Sequence, residues 1–173
     1  MAAGSTYTPI ATTTIGSTTA SYTFSSIPST YTDLVLICSG YGASVDGNVF
    51  VCQVNGDTGT NYSTTRLSGN GTTASSGRRT SVTRAFLSDA SGLPNSSSQI
   101  SNYIVNFMNY SNTTTYKTII SRANVASGTY PATEALVNLW RNTAAINEIK
   151  VFPDPSENFA AGFTLTLYGI AAA

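Results

Sequence analysis

The sequence contains no histidine, and this absence excludes more chemistry than any other feature of its composition. Histidine is the commonest general base near neutral pH and the commonest protein ligand for transition metals. Ser-His and Cys-His nucleophile pairs are therefore impossible. A Ser-Lys pair would need Lys117 or Lys150, the only two lysines, and neither lies in a recognisable hydrolase motif. We therefore expect a protein that is not an enzyme and that needs no metal or other cofactor.

Charge is scarce as well. Asp, Glu, Lys and Arg make up 9% of the 173 residues, and eight basic side chains balance eight acidic ones; a typical soluble domain is about 25% charged. A neutral chain creates no long-range field that would attract phosphate groups or anionic lipids. We therefore expect neither nucleic acid nor membrane as a partner. A surface with so little charge does little to oppose self-association, which predicts an oligomer.

Long hydrophobic runs are missing, and cysteines are few. The longest strongly apolar run, LVLIC at residues 34–38, is far too short to span a membrane. The first 17 residues lack the positive charge and the apolar stretch of a secretory signal. We therefore expect folding in the compartment of synthesis. The two cysteines, Cys38 and Cys52, lie in apolar strand-like runs, which favours two reduced and buried thiols, with a disulfide between neighbouring strands as the alternative.

What the chain does contain is the alternation of apolar and polar residues that is typical of half-buried strands. In GFTLTLYGI, residues 162–170, Phe163, Leu165 and Leu167 share one face, and polar residues occupy the other. Six further runs have the same character: DLVLICSG, NVFVCQV, SVTRAFLS, SQISNYIVNFMNY, YKTIISRA and NEIKVF. Gly, Asn, Pro or Ser clusters bound each run. About ten short strands predict an all-β protein, an antiparallel β-sandwich with the jelly roll as the expected topology.

In one segment, ATEALVNLWRN at residues 132–142, a helix competes with a strand. Four apolar residues recur there at helical spacing, and Ala, Glu and Leu favour helix. However, apolar residues also alternate, and neither a capping box nor a C-terminal glycine frames the segment, so we favour a strand. Trp140 is expected in the core, with an interface anchor as the alternative. The expected core comprises Phe24, Leu36, Phe50, Val105, Phe107, Ile119, Leu139, Val151, Phe163 and Leu165.

The N-terminal residues 1–20 differ from the β-sandwich domain expected at residues 21–173. They are rich in threonine and too polar for a central strand, which predicts either an extended arm or an edge strand. An arm could dock on the sheet edge of a partner by strand addition. Its expected contact residues are Tyr7, Pro9, Ile10 and Ile15. An edge strand would instead pack on the chain's own sandwich.

Two polar features could bind a ligand or do chemistry, but each has a simpler explanation. The Gly-rich stretch at residues 68–79 lacks the ending of a phosphate-binding loop, and its arginines, Arg78 and Arg79, could hold a carboxylate or a sugar but are expected to be solvated. Asp154 and Glu157 could form the carboxylate pair of a glycoside hydrolase. Two prolines and polar neighbours favour a solvated turn for this pair instead.

Five segments carry a resemblance to a known family. They are YTFSSIPSTYTDLVL (22–36), VNGDTGTNYSTT (54–65), ASSGR (74–78), LWRNTAAINEIKV (139–151) and NFAAGFTLTLYGI (158–170). Together they resemble small β-sandwich proteins from the virions of tailed bacteriophages, and the similarity extends from about Tyr7 to Ile170. The resemblance implies a jelly roll and assembly as a homotrimer. It also implies that NGDTGTNY connects two strands and is not a ligand-binding loop.

The resemblance implies two competing roles. One is a capsid decoration or cement protein, which binds the major capsid protein and stabilises the shell of a virion assembled in the bacterial cytoplasm. The other is a tail-associated adhesin that recognises a host glycan or protein. We favour decoration, because no coiled-coil or collagen-like shaft precedes the sandwich. A glycan-binding jelly-roll module is a further alternative, with Tyr41, Tyr62, Tyr110 and Tyr130 as candidate contacts.

Overall fold

The computed structural model describes residues 6–90, 92–125, 131–154 and 157–171. These residues form twelve β-strands and no helix, which confirms the all-β prediction. In chain order the strands are β1 (Tyr7–Thr14), β2 (Tyr22–Phe24), β3 (Asp33–Gly40), β4 (Phe50–Val54), β5 (Tyr62–Gly69), β6 (Ala74–Val82), β7 (Ala85–Phe86), β8 (Ser101–Met108), β9 (Lys117–Val125), β10 (Ala132–Trp140), β11 (Ile149–Pro153) and β12 (Thr164–Ile170).

The strands form two antiparallel sheets that pack face to face, so the predicted β-sandwich is confirmed. The large sheet has eight strands in the order β1-β12-β3-β8-β9-β10-β5-β6, and the small sheet has four in the order β2-β11-β4-β7. Four pairs of consecutive strands each place one strand in the large sheet and one in the small sheet: β1–β2, β3–β4, β7–β8 and β11–β12. The hairpins β5–β6 and β9–β10 supply the four remaining strands, which extend one side of the large sheet.

The core lies between the sheets, and an aromatic cluster occupies its centre. The ring of Phe50 meets the rings of Tyr103, Phe159 and Phe163 edge-on, with centroids 4.7, 5.8 and 6.0 Å apart. Such pairs add about 0.5–1.5 kcal/mol each to the stabilisation from burial. Nine of the ten predicted core residues are buried, which confirms that alternation located the inward faces; the exception is Leu139.

The structure confirms the strand prediction for residues 132–142 and explains this exception. Burial alternates along β10, so that Leu136, Asn138 and Trp140 face inward. Leu139 therefore projects from the opposite face and is half-buried, and its assignment to the core was wrong. Trp140 is 1% exposed, as predicted for a core tryptophan.

Strand β1 is an edge strand of the chain's own large sheet, where it pairs with β12 along its length. A β-bulge interrupts the register between Pro9 and Ala11. Just beyond the strand, the Ile15 N–H donates to the Phe163 carbonyl at 2.8 Å. Proline and bulges on an edge strand both oppose the addition of a further strand. Residues Tyr7–Thr14 are thus paired within the chain, and β2 forms an edge of the small sheet.

The two cysteines are free and buried, as predicted. Cys38 lies on β3 and Cys52 on β4, so they belong to different sheets. Burial raises the pKa of Cys52 to about 12. Burial, together with the neighbouring Cys52, also raises the pKa of Cys38 well above its ordinary value. Because the thiolate is the reactive form, both thiols are expected to be inert in the folded protein.

Candidate interaction face

The large sheet has an outer face that points away from the small sheet. Side chains alternate along each strand, so every strand that buries one set of residues presents the other set outward. On β8, for example, Tyr103, Val105 and Phe107 are buried, whereas Ile104 and Met108 are 37% and 39% exposed. No strand of the small sheet covers this outer face.

Exposed apolar side chains concentrate on the outer face. Nine large hydrophobic residues are exposed in the described part of the chain, and six of them project from this face: Tyr7, Ile37, Leu67, Ile104, Met108 and Val137. Strand register aligns Ile37 with Ile104, and Ala135 with Leu67, in one continuous row. Single exposed hydrophobics are ordinary, but a contiguous group marks an interaction surface.

Arg122 lies in the middle of that row, between Ile104 on β8 and Ala135 on β10. Neither Arg122 nor Arg78, which projects from β6 opposite Thr65, has an ion pair or hydrogen bond among the described residues. Within the twelve strands, the only carboxylate on the outer face belongs to Asp33 at the start of β3, and it accepts the Asn109 N–H at 2.5 Å. The outer face therefore presents two arginines that have no ion-pair partner among the described residues.

Arg78 and Arg79 are both exposed, as expected, but they lie on β6 and not on a loop, because most of residues 68–79 belongs to the β5–β6 hairpin. The two arginines point to opposite faces of β6. Arg79 is directed inward, where it forms an ion pair with Asp89 at 2.6 Å and lies 4.5 Å from the ring centroid of Phe86. Only Arg78 reaches the outer face.

A row of short polar side chains crosses the outer face next to the row of Arg122. This polar row runs over six adjacent strands: Thr14, Thr164, Ser39, Asn102, Asn124 and Thr133. The Ser39 hydroxyl donates to Asn102 Oδ1 at 2.8 Å, which leaves the Asn102 amide N–H groups available. The side chains of Asn124 and Thr133 form no hydrogen bond within the described residues.

Two open depressions flank Arg122. The smaller, about 220 Å³, is bordered by Asn102, Ile104, Asn124 and Thr133. The larger, about 540 Å³, extends over β10 toward Leu67 and the β5–β6 turn. The first thus combines a guanidinium, two amides and a hydroxyl with one aliphatic side chain. Sequence reasoning did not identify these residues, because their proximity depends on the register of three strands; the one signal was the polar pair Arg122 and Asn124 at alternate positions of YKTIISRAN.

Three of the four predicted contact residues lie on β1 and Ile15 follows it, and the four side chains do not share one face of the sheet. Tyr7 and Pro9 project from the outer face, where Tyr7 meets the ring of Tyr168 edge-on with centroids 6.0 Å apart. These residues, with Ile170, form what we term the β1 corner. Ile15, in contrast, is 6% exposed and belongs to the core, and Ile10 packs against that core.

The turn at Asn55–Asp57 connects β4 to β5, as the resemblance implied, and it holds the core tryptophan. Asp57 Oδ2 accepts a hydrogen bond of 2.6 Å from the indole N–H of Trp140, and further bonds come from Asn61 and the Gly59 N–H. Burial raises the pKa of Asp57, but these hydrogen bonds outweigh burial and hold the pKa below its ordinary value. The carboxylate is a structural acceptor.

The prediction of a solvated turn at Asp154 and Glu157 was wrong for Glu157. This side chain is buried, and its carboxylate accepts hydrogen bonds from the backbone N–H groups of Ala43, Ser44 and Val45. Asp154 forms an ion pair with Arg84 at 2.9 Å. Sequence could not show the role of Glu157, because its partners are more than a hundred residues away.

Two of the four tyrosines considered for glycan binding are not accessible to a ligand. Tyr62 and Tyr110 are fully buried, and Tyr41 is half-buried. Tyr130 lies outside the described residues.

The described residues contain no group of three or more His, Cys, Asp or Glu side chains that could hold a metal ion. They also contain no helix of the length and hydropathy needed to cross a membrane. No protein-family model, no curated protein and no solved structure matches this chain.

Proposed function

We propose that the chain is a structural protein of a tailed-bacteriophage virion, and that it acts as a capsid decoration protein. The observation that carries this proposal is the β1 corner of the outer face, where the 54% exposed ring of Tyr7 lies against Tyr168 and beside the exposed Pro9. A monomer that needed only to fold would gain nothing from such a surface. The near-neutral charge of the chain supports association as well.

The strand order supports the jelly-roll topology that the sequence resemblance implied. In a jelly roll, eight strands form two four-stranded sheets through two Greek keys, so that the first strand lies beside the last. Here β1, β12, β3 and β8 are neighbours in one sheet, and β2, β11, β4 and β7 make up the other. The hairpins β5–β6 and β9–β10 are then insertions that widen one sheet. This topology is part of the proposal.

The proposed capsid contact is the β1 corner. Tyr7 is 54% exposed and Pro9 is exposed beside it. Because Pro9 and the bulge obstruct strand addition, we propose contact through side chains and not through a shared sheet edge. Ile10 and Ile15 contribute indirectly, since their packing fixes the position of β1. We further propose a homotrimer with the major capsid protein as its partner, located in the virion; light scattering on the purified protein should give three times the chain mass.

A binding experiment with purified capsids tests the proposal. The double variant Tyr7→Ser/Tyr168→Ser removes both rings of the β1 corner and should lower capsid binding at least about tenfold, since aromatic residues dominate interface energetics. Tyr116→Ser is the matched control, because Tyr116 is 55% exposed but precedes β9, far from β1. Equal binding by wild type and the double variant would contradict the proposed contact. If the wild type ignores capsids and binds host cells, the adhesin role replaces decoration.

A further inference from the structure

We propose that the outer face carries a binding site for an acidic polysaccharide, centred on Arg122 and completed by Asn102, Asn124 and Thr133. We refer to these four residues as the Arg122 site. Arg122 lies four strand spacings from β1, about 19 Å across the sheet. The proposal is therefore independent of the capsid contact, and it holds for a protein on the capsid or on the tail.

Arg122 supplies the charge recognition. A guanidinium presents a planar fork of N–H donors that pairs with a carboxylate through two parallel hydrogen bonds. In most of this chain the arginines already have partners: Arg66 and Arg79 pair with Asp89, and Arg84 pairs with Asp154. Arg122 has none among the described residues and is flanked by the apolar Ile104 and Ala135. The fork is thus available for a ligand carboxylate.

The neighbouring amides and hydroxyl match the chemistry of sugar hydroxyl groups. Asn102 and Asn124 are directly opposite on β8 and β9, and Asn124 is opposite Thr133 on β10. Directly opposite residues have Cβ atoms about 4.5–5.5 Å apart. Each amide can donate and accept, as a sugar hydroxyl can. Glu134 does not oppose an anion, since it alternates to the inner face and accepts the Asp89 and Ala90 N–H groups at 2.9 and 3.0 Å.

The shape favours a polymer over a small acid. Both depressions beside Arg122 are open, so a small carboxylate would remain largely solvated. The polar row continues from Asn102 to Ser39 and Thr164, one residue per strand, at a spacing of about 4.8 Å. A pyranose unit has a similar length, so a glycan lying across the strands could contact successive side chains. The adjacent Ile104 and Ile37 offer aliphatic surface to the C–H groups of the sugar rings.

A protein partner fits the Arg122 site less well. Protein interface cores are enriched in aromatic residues, Met and Arg, and they are depleted in Ser. The polar row contains only Ser, Thr and Asn across six strands and no aromatic residue. The β1 corner, with two tyrosines, has the composition expected for a protein contact.

Titration calorimetry of the purified protein with defined saccharides tests the Arg122 site. The probes are oligogalacturonate, monomeric galacturonate, a neutral maltooligosaccharide and poly-L-glutamate. We expect binding of oligogalacturonate, at least about tenfold weaker binding of the monomer, and none of the neutral chain, because both the carboxylate and the extended contact are required. Poly-L-glutamate binding as tight as that of the saccharide would overturn the proposal, since charge alone would explain it. Failure of oligogalacturonate to bind would overturn it as well.

Two variants and one control locate the site. Arg122→Gln and the double variant Asn102→Ala/Asn124→Ala should each reduce oligogalacturonate binding about tenfold or more. Arg78→Gln is the matched control, because Arg78 is an equally unpaired arginine on the same face, three strands and about 14 Å away. Equal losses in Arg78→Gln and Arg122→Gln would indicate nonspecific attraction and reject the site.

The same variants separate this inference from the proposed function. Arg122→Gln should bind capsids and form the same oligomer as the wild type, because the β1 corner is unchanged. If Arg122→Gln changes the oligomeric mass in light scattering, the residue belongs to a protein interface and the saccharide site is wrong. If capsids are not bound but oligogalacturonate is, the decoration proposal fails while the Arg122 site stands.

Discussion

The inner surface of the large sheet contacts the rest of the molecule in two ways, by apolar packing on some strands and by hydrogen bonds from buried polar side chains on others. On β12, β3 and β8 the inward side chains are fully buried against the small sheet and, apart from Ser101 at the start of β8, are apolar, as Leu165, Leu36 and Phe107 are. On the added strands β5, β9 and β10, polar side chains are buried to a similar degree: Thr64, Lys117, Ser121, Glu134 and Asn138. Burial is thus comparable, but the chemistry of the contact differs.

Three of these buried polar groups, Ser121, Glu134 and Asn138, bind the backbone of residues 85–90. Asn138 accepts the Phe86 N–H and donates to the Phe86 carbonyl, both at 2.9 Å. The Ser121 hydroxyl donates to the Leu87 carbonyl at 2.7 Å. Glu134 continues the same pattern with the Asp89 N–H. These side chains fix a segment that has only a two-residue strand of its own, β7.

This difference in contact chemistry explains how the large sheet can have eight strands although the small sheet that faces it has only four. Apolar burial is non-directional and needs only a facing surface of similar character. Opposite the added strands, the facing surface is the short edge strand β7 and the irregular backbone that follows it, whose N–H and C=O groups must be satisfied. Directed hydrogen bonds satisfy these backbone groups, and a small apolar cluster of Val51, Phe86 and Leu136 lies beside them.

The largest expected loss of stability comes from the apolar contact between strands β12, β3 and β8 and the small sheet. Phe107→Ala should lower the free energy of unfolding by about 4 kcal/mol, through lost burial and the cavity left between the sheets. Urea denaturation followed by circular dichroism measures this loss. A cost below about 1 kcal/mol would show that the two sheets are not packed at this position.

Asn138→Ala tests the hydrogen bonds between the added strands and residues 85–90. It should lower the free energy of unfolding by about 3 kcal/mol, because it leaves the buried N–H and C=O of Phe86 without their partner. Asn124→Ala removes the same side chain from the exposed face of the neighbouring strand and should change stability by less than about 0.5 kcal/mol. If the two substitutions have equal effects in urea denaturation, the hydrogen-bonded contact is unimportant.

Acid should lower the stability of the fold in part by protonating Asp57, which accepts a hydrogen bond from Trp140 on β10. Its pKa is lower in the folded protein than its ordinary value, so its contribution to stability is complete above the unfolded-state pKa and is lost as pH falls through the folded-state pKa. Asp57→Asn should therefore lose less stability than the wild type between about pH 6 and about pH 3. Thermal unfolding of both proteins at each pH makes the comparison, and identical losses would assign the acid sensitivity to other groups.

The smallest effect is expected on the outer face. Ile104→Thr and Val137→Thr should each change the free energy of unfolding by about 0.5 kcal/mol or less, since both side chains are largely exposed and β-branched residues suit strands. Differential scanning calorimetry is sufficient for this measurement. A large loss of stability in either variant would mean that the isolated fold depends on this face, contrary to its assignment as an interaction surface.

Sequence pattern predicted the inward faces of the strands opposite the small sheet better than those of the added strands. Phe163, Leu165 and Leu167 were placed inward from alternation alone, and the structure confirms them. Leu139 was misplaced because apolar residues occupy both faces of β10, so hydrophobicity could not distinguish inside from outside. The inward residue beside it is the polar Asn138, whose burial depends on a hydrogen-bond partner that is distant in the chain.

The candidate sites show the same limit. Tyr7 and Pro9 were singled out from the sequence and do project from the outer face, whereas Ile10 and Ile15 pack inward because β1 pairs with β12. The Arg122 site combines residues of three strands and could not be read from any one of them. Glu157 was taken for a solvated residue because its backbone partners lie across the fold.

By itself the sequence determined the all-β class, the strand faces with clear alternation, the buried free thiols and the turn at residues 55–57. These features depend on local periodicity and on turn chemistry, which act over a few residues. Only the tertiary structure decided the order of strands, the polar attachment of residues 85–90 and the rows on the outer face. The reason is physical: strand register sets which distant side chains become neighbours, and a buried polar group is stable only where such a neighbour completes its hydrogen bonds.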